Sequence, residues 1–135
     1  MGAWGTDILD NDAAQDFIAA ILDENNLAMI EEAIERVLKT GDEELEAPDA
    51  EEAIAAVDII SRLLQYDEDD ELDEEDELAV WISNCEEEPD DVLVENARKA
   101  IERILTEPSE LLEQWQESDD YETWERGVRA LQQSL

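Results

Sequence analysis

The 135-residue sequence has no histidine, one cysteine (Cys85), one phenylalanine, three prolines, four glycines and only eight basic residues. Each shortage removes something. Without histidine, Ser-His-Asp, Cys-His and His-ligated metal mechanisms are excluded. A lone cysteine allows neither an intramolecular disulfide nor a thiolate zinc site, and such usage suits a reducing compartment. The glycines form no P-loop or dinucleotide-binding fingerprint, and no D-x-[DN]-x-[DN]-G run marks an EF-hand. No apolar run approaches the roughly 18 residues of a membrane span. The opening residues lack a basic n-region and an apolar h-region, so no signal peptide is read. Met1-Gly2 with Thr6 fits the loose N-myristoylation pattern, but no polybasic stretch accompanies it. The expectation is a cytoplasmic protein with no membrane partner.

What the chain has in abundance is negative charge. Its 42 Asp and Glu face eight Lys and Arg, a formal net charge of −34. Direct binding of nucleic-acid phosphates, which needs a basic surface, is all but excluded. Hydrophobic residues still make up 43% of the chain, enough for a core, so acidity here does not imply disorder.

Apolar residues recur at helical spacing almost throughout. Asp10, Asn11 and Asp12 offer N-cap oxygens to a helix carrying Phe17, Ile18, Ile21 and Leu22, predicted to run to about Glu24. Leu27, Ile30, Ile34, Val37 and Leu38 line a second, with Lys39 in its last turn and Gly41 as its C-cap. Pro48 sits where a first-turn proline belongs, opening a third helix that runs to about Gln65. Leu78 to Ile82 predict a short fourth. A fifth follows Pro89 and runs to about Thr106, a sixth starts at Pro108-Ser109, and a seventh follows Asp119-Asp120. Alternating strand patterns and hairpin turns are absent. The prediction is a single compact all-α domain, residues 1–135, of six to seven short helices.

Between the third and fourth helices lies an acidic loop at about 66–77. Asp67, Glu68, Asp69, Asp70, Glu71, Asp73, Glu74, Glu75, Asp76 and Glu77 are interrupted there only by Leu72. Such a run repels itself. It is a candidate binding face, as are the stretch Glu86–Asp91 and the helix acids Glu31, Glu32 and Glu35.

Three readings of the acidity compete. In the first it is solvation only, the surface of a protein adapted to a salty cytosol. In the second, a rigid acidic domain imitates nucleic-acid phosphates and occupies the basic groove of another protein, as inhibitors, immunity proteins and DNA mimics do. In the third, carboxylates hold Mg²⁺ or Ca²⁺ for nucleotide hydrolysis. The candidate ligands are Asp12 and Asp16, four residues apart, with Glu46 and Asp58 around the start of the third helix. Such spacings arise by chance many times in so acidic a chain. The favoured expectation is a non-enzymatic binding protein with no cofactor, whose partner, if it has one, is a basic protein.

Two stretches carry a resemblance. The opening G-A-W-G with Trp4, followed by N-D-A-A-Q-D from Asn11 to Asp16, resembles the start of the bacterial domain-of-unknown-function family 4259. Further along, Glu46-Ala47-Pro48 looks like that family's helix opening. Ser109-Glu110-Leu111 with Trp115, and the later Trp124, look like its C-terminal pattern. Asp7 departs from the family, which often has glycine there, and the acidic loop is longer than family members usually carry. The resemblance implies a small cytosolic protein without an assigned activity. It also directs attention to Trp4, Asn11, Asp12, Asp16, Glu46, Pro48, Asp58, Trp115 and Trp124. The structural expectation is that Trp4 pins the N-terminus, Asn11 or Asp12 caps the first helix, and Asp16 is buried against an amide or arginine. The functional expectation is that the acids converge on one pocket for a cation or a basic side chain. Trp81, Trp115 and Trp124 are expected in the core rather than in a ligand platform. Cys85, beside three glutamates, is expected to be a poor nucleophile.

Overall fold

The computed structural model describes residues 12–24, 27–41, 43–66, 74–75, 77–85 and 87–135, with the side chain of Asp12 excepted. Among these residues the chain is all-α, with seven helices: α1 (Asp12–Ile21), α2 (Ala28–Lys39), α3 (Ala47–Gln65), α4 (Glu77–Asn84), α5 (Asp91–Ile104), α6 (Glu110–Gln116) and α7 (Tyr121–Gln133).

α3 is the axis of the bundle, because its middle can be approached from every side. From Ala53 to Val57 every side chain is buried, and three of those five are alanines that let neighbouring helices come close. The other six helices all pack against it, and α2 and α7 also lean on α5. The surrounding helices are amphipathic and contribute one stripe each: Phe17 and Ile21 from α1, Ile30, Ile34 and Val37 from α2, Ala97, Ile101 and Ile104 from α5, and Trp124 and Val128 from α7. These side chains form one continuous core.

Several helix ends differ from expectation. α1 ends at Ile21 rather than Glu24. Its last turn tightens into i→i−3 bonds from Asp23 and Glu24, and the Glu24 carbonyl accepts the Trp81 indole N–H at 2.6 Å instead of continuing the helix. In α2 the C-cap is Thr40, whose hydroxyl bonds the Arg36 carbonyl at 3.0 Å. Gly41 lies one residue beyond, at φ +58, the left-handed position that a side chain disfavours. α5 stops at Ile104 rather than Thr106, because the Thr106 hydroxyl turns back to the Glu102 carbonyl at 2.6 Å. Asp120 is the N-cap residue of α7 but makes no side-chain capping bond. By contrast Asp90 caps α5 as a carboxylate should, accepting from the Leu93 amide at 2.8 Å.

Candidate functional site

Two separate features stand out, one a structural knot and the other an open surface. The knot joins the chain before α3 to the chain before α6. Leu45 and Ser109 form an isolated parallel bridge, with the Leu45 amide donating to the Pro108 carbonyl at 3.1 Å and the Glu110 amide to the Leu45 carbonyl at 2.8 Å. Ser109 is completely buried and caps α6 through the Leu112 amide. The Glu110 carboxylate does not serve its own helix. It accepts the Ala47 amide at 2.8 Å and so caps the first turn of α3, where a negative charge also suits the helix dipole.

Arg103, near the end of α5, ties the knot from below. Its guanidinium donates to the carbonyls of Gly41 (3.0 Å), Glu43 (2.6 Å), Thr106 (2.9 Å) and Pro108 (2.9 Å). A planar fork with five donors is suited to bridging two loops in this way. Beyond α6, Trp115 stacks on the buried Trp124 with centroids 5.6 Å apart and planes 7° from parallel. Tyr121 leans on the same ring. Its phenol donates to the Glu125 carboxylate at 3.0 Å; partial burial and that negative neighbour together hold its pKa above the ordinary value.

The open surface surrounds α4. No Lys or Arg occurs before Arg36, and none between Arg62 and Arg98. The fold places these two cation-free stretches side by side: Trp81 of α4 reaches the end of α1 as described, and the Glu87 carboxylate accepts the Leu27 amide at the start of α2 at 2.9 Å. Two clefts open on either side of α4. One, of about 470 Å³, lies between Leu22, Val80, Trp81 and Cys85, with Glu74 and Glu77 at its edge. The other, of about 360 Å³, lies between α3 and the segment after α4, with Leu64, Tyr66, Ile82 and Pro89 beside Glu87 and Glu88. A smaller hollow of about 180 Å³ sets Val92 among Glu31, Glu35 and Asp90. None of the three is lined by a described Lys or Arg, whereas the hollow along α7 mixes Glu122 and Glu125 with Arg126 and Arg129.

Large apolar side chains are exposed at these places. Among the described residues, those most exposed are Leu64 (43%), Tyr66 (42%) and Val92 (68%), and each lines one of the acid-bordered clefts.

Comparison with protein-family models finds one that covers most of the chain: Domain of unknown function (DUF4259), matched over residues 2–127. The chain belongs to the DUF4259 family. No curated protein and no solved structure gave a significant match.

Among the described residues, those that suggested DUF4259 from sequence are not gathered into one pocket. Trp4 and Asn11 lie outside the described residues, as do Asp67 to Asp73 and Asp76, and the side chain of Asp12 is not described. Asp16 is exposed rather than buried, because the inward stripe of α1 is Ala14, Phe17 and Ile21, and residue 16 points away from it. Glu46 is the exposed N-cap residue of α3 and makes no capping bond. Asp58 lies twelve residues further along the same helix, about 18 Å away at 1.5 Å per residue, and is ion-paired with Arg62 at 2.9 Å. Glu46 and Asp58 therefore cannot share a cation. No cluster of three or more potential metal ligands exists among the described residues. Pro48 stands in the first turn of α3. Trp81 and Trp124 are buried, and Trp115 packs against the core as the outer member of the stacked pair. Cys85 is partly buried, its thiol donating to the Glu87 carbonyl at 3.4 Å. Of the predicted acidic loop, Glu74 and Glu75 are exposed, and Glu77, also exposed, is not in a loop but opens α4.

Sequence reasoning missed three things: the Arg103 clamp, the Glu110 cap on α3, and the exposed Leu64 and Tyr66. Only the last left a trace, since a helix that ends Leu63-Leu64-Gln65 and is followed at once by Tyr66 has more apolar residues than one inward stripe can hold.

Proposed function

We propose that this DUF4259 protein acts by binding rather than catalysis, engaging a basic protein in the cytoplasm and regulating or inhibiting it. The observation that carries this reading is the coincidence of exposed Leu64, Tyr66 and Val92 with carboxylate-bordered clefts that no described cation lines. A surface selected for salt tolerance alone needs carboxylates in contact with water and gains nothing from large apolar groups among them. A surface that binds a basic protein needs both, since carboxylates steer the encounter and apolar contacts hold it.

The absence of any helix, among the described residues, that is long and apolar enough to cross a membrane is compatible with a cytoplasmic setting. The test is a far-ultraviolet circular dichroism melt in KCl from about 0.05 M to about 3 M, over which the screening length falls from above ten Å to a few Å. A binding protein is expected to be folded at the low end. A chain that is unfolded there and gains structure steadily with salt would instead owe its charge to a salty cytosol, and the binding reading would be lost.

A further inference from the structure

We propose that the cleft between the end of α3, α4 and residues 87–89 is a docking groove for a lysine- or arginine-rich amphipathic segment of the partner protein. This deepens the binding reading above and rests on it. An apolar side chain of the segment enters beside Leu64, Tyr66 and Ile82, and cations flanking it meet Glu88 and Glu87.

The groove has a firm floor and an unused wall. Ile82 is buried and Leu63 is packed against the core, whereas Leu64 and Tyr66 turn 43% and 42% of their surface to solvent at the cleft. Its volume of about 360 Å³ is at the small end of ligand-sized clefts and suits an inserted side chain rather than a whole helix. One rim is positioned rather than loose, because Glu87 is held through its bond to the Leu27 amide. Tyr66 adds an aromatic face on which a lysine or arginine can rest.

Charge selects the occupant. A second copy of this chain brings another −34 to the contact, and phospholipid or nucleic-acid phosphates meet the same repulsion. A purely cationic segment would satisfy the carboxylates and leave Leu64 and Tyr66 uncovered. Only a segment carrying both characters covers the groove.

Two synthetic peptides of equal length and equal positive charge test this against the full chain at about 0.15 M KCl. One carries leucines at helical spacing among lysines, and the other has serine at each leucine position. The expected result is a preference for the leucine peptide of about tenfold, the scale of burying one such side chain. The double variant L64S/Y66S should bring the two affinities within about twofold of each other. Y66S alone, at a residue outside the helix, should reduce the preference to about threefold, which keeps the test available if the double variant does not fold. Q133S, in the mixed-charge hollow along α7, should leave it unchanged. If L64S/Y66S folds and keeps the full preference, the groove is not the docking site, although the binding reading stands. If the wild-type chain binds neither peptide, the binding reading itself is overturned.

Discussion

Arg103 shows how much one side chain can organise. Its four carbonyl acceptors belong to the loop before α3 and the loop before α6, so a single guanidinium ties the backbones of both loops together. Lysine has the same charge but no planar fork. R103K is therefore expected to destabilise the protein by about 2 kcal/mol, with R103M similar, as read from urea midpoints at constant m. A charge-only role would leave R103K near wild type. Nothing in the sequence distinguishes Arg103 from the other arginines; its partners are backbone carbonyls, which have no signature in side-chain identity. Asp16 teaches the converse. Its place in a recognisable N-D-x-A-x-D run suggested a buried role, yet the helical period sends it outward.

At the scale of elements, helices are stabilised across the bundle as well as along it. α3 is capped by Glu110 of α6, and the start of α2 by Glu87 from the segment before α5. E110A is expected to cost about 1 kcal/mol of stability, the usual worth of an N-cap acceptor. Hydrogen exchange should show the loss mainly at the first turn of α3 rather than within α6; faster exchange confined to α6 would refute the cross-cap. Helix existence was legible because each helix carries its own apolar period, and Pro48 and Pro108-Ser109 mark starts by local chemistry. Some helix ends were not legible, because they depend on distant atoms. α1 closes where the Trp81 indole takes the Glu24 carbonyl, and that partner lies 57 residues away in sequence.

At the scale of the molecule, charge is unevenly distributed. Several described cations are already engaged, within a helix or across to a neighbouring element: Arg36 with Glu52 at 2.9 Å, Arg62 with Asp58, Arg98 with the Leu135 carbonyl at 2.5 Å, and Arg129 with Glu125 at 3.7 Å. The side around α4 contributes carboxylates without described counter-charges. Association with the leucine-lysine peptide is therefore expected to slow by about tenfold or more between 0.05 M and 0.5 M KCl, while dissociation changes much less. Stopped-flow fluorescence separates the two rates, and an association rate indifferent to salt would contradict steering by this surface.

The sequence by itself determined the helical class, the family and the sign of the net charge, because periodicity, composition and charge are properties of the chain that folding does not alter. It did not determine which acids act together. Glu46 and Asp58 looked like neighbours and are kept apart by the rise of one helix, whereas Glu110 and Ala47, or Glu87 and Leu27, are distant in sequence and bonded in space. Tertiary structure also decided that Leu64 and Tyr66 remain at the surface, since the axis of the bundle has room for only part of the apolar surface that α3 carries.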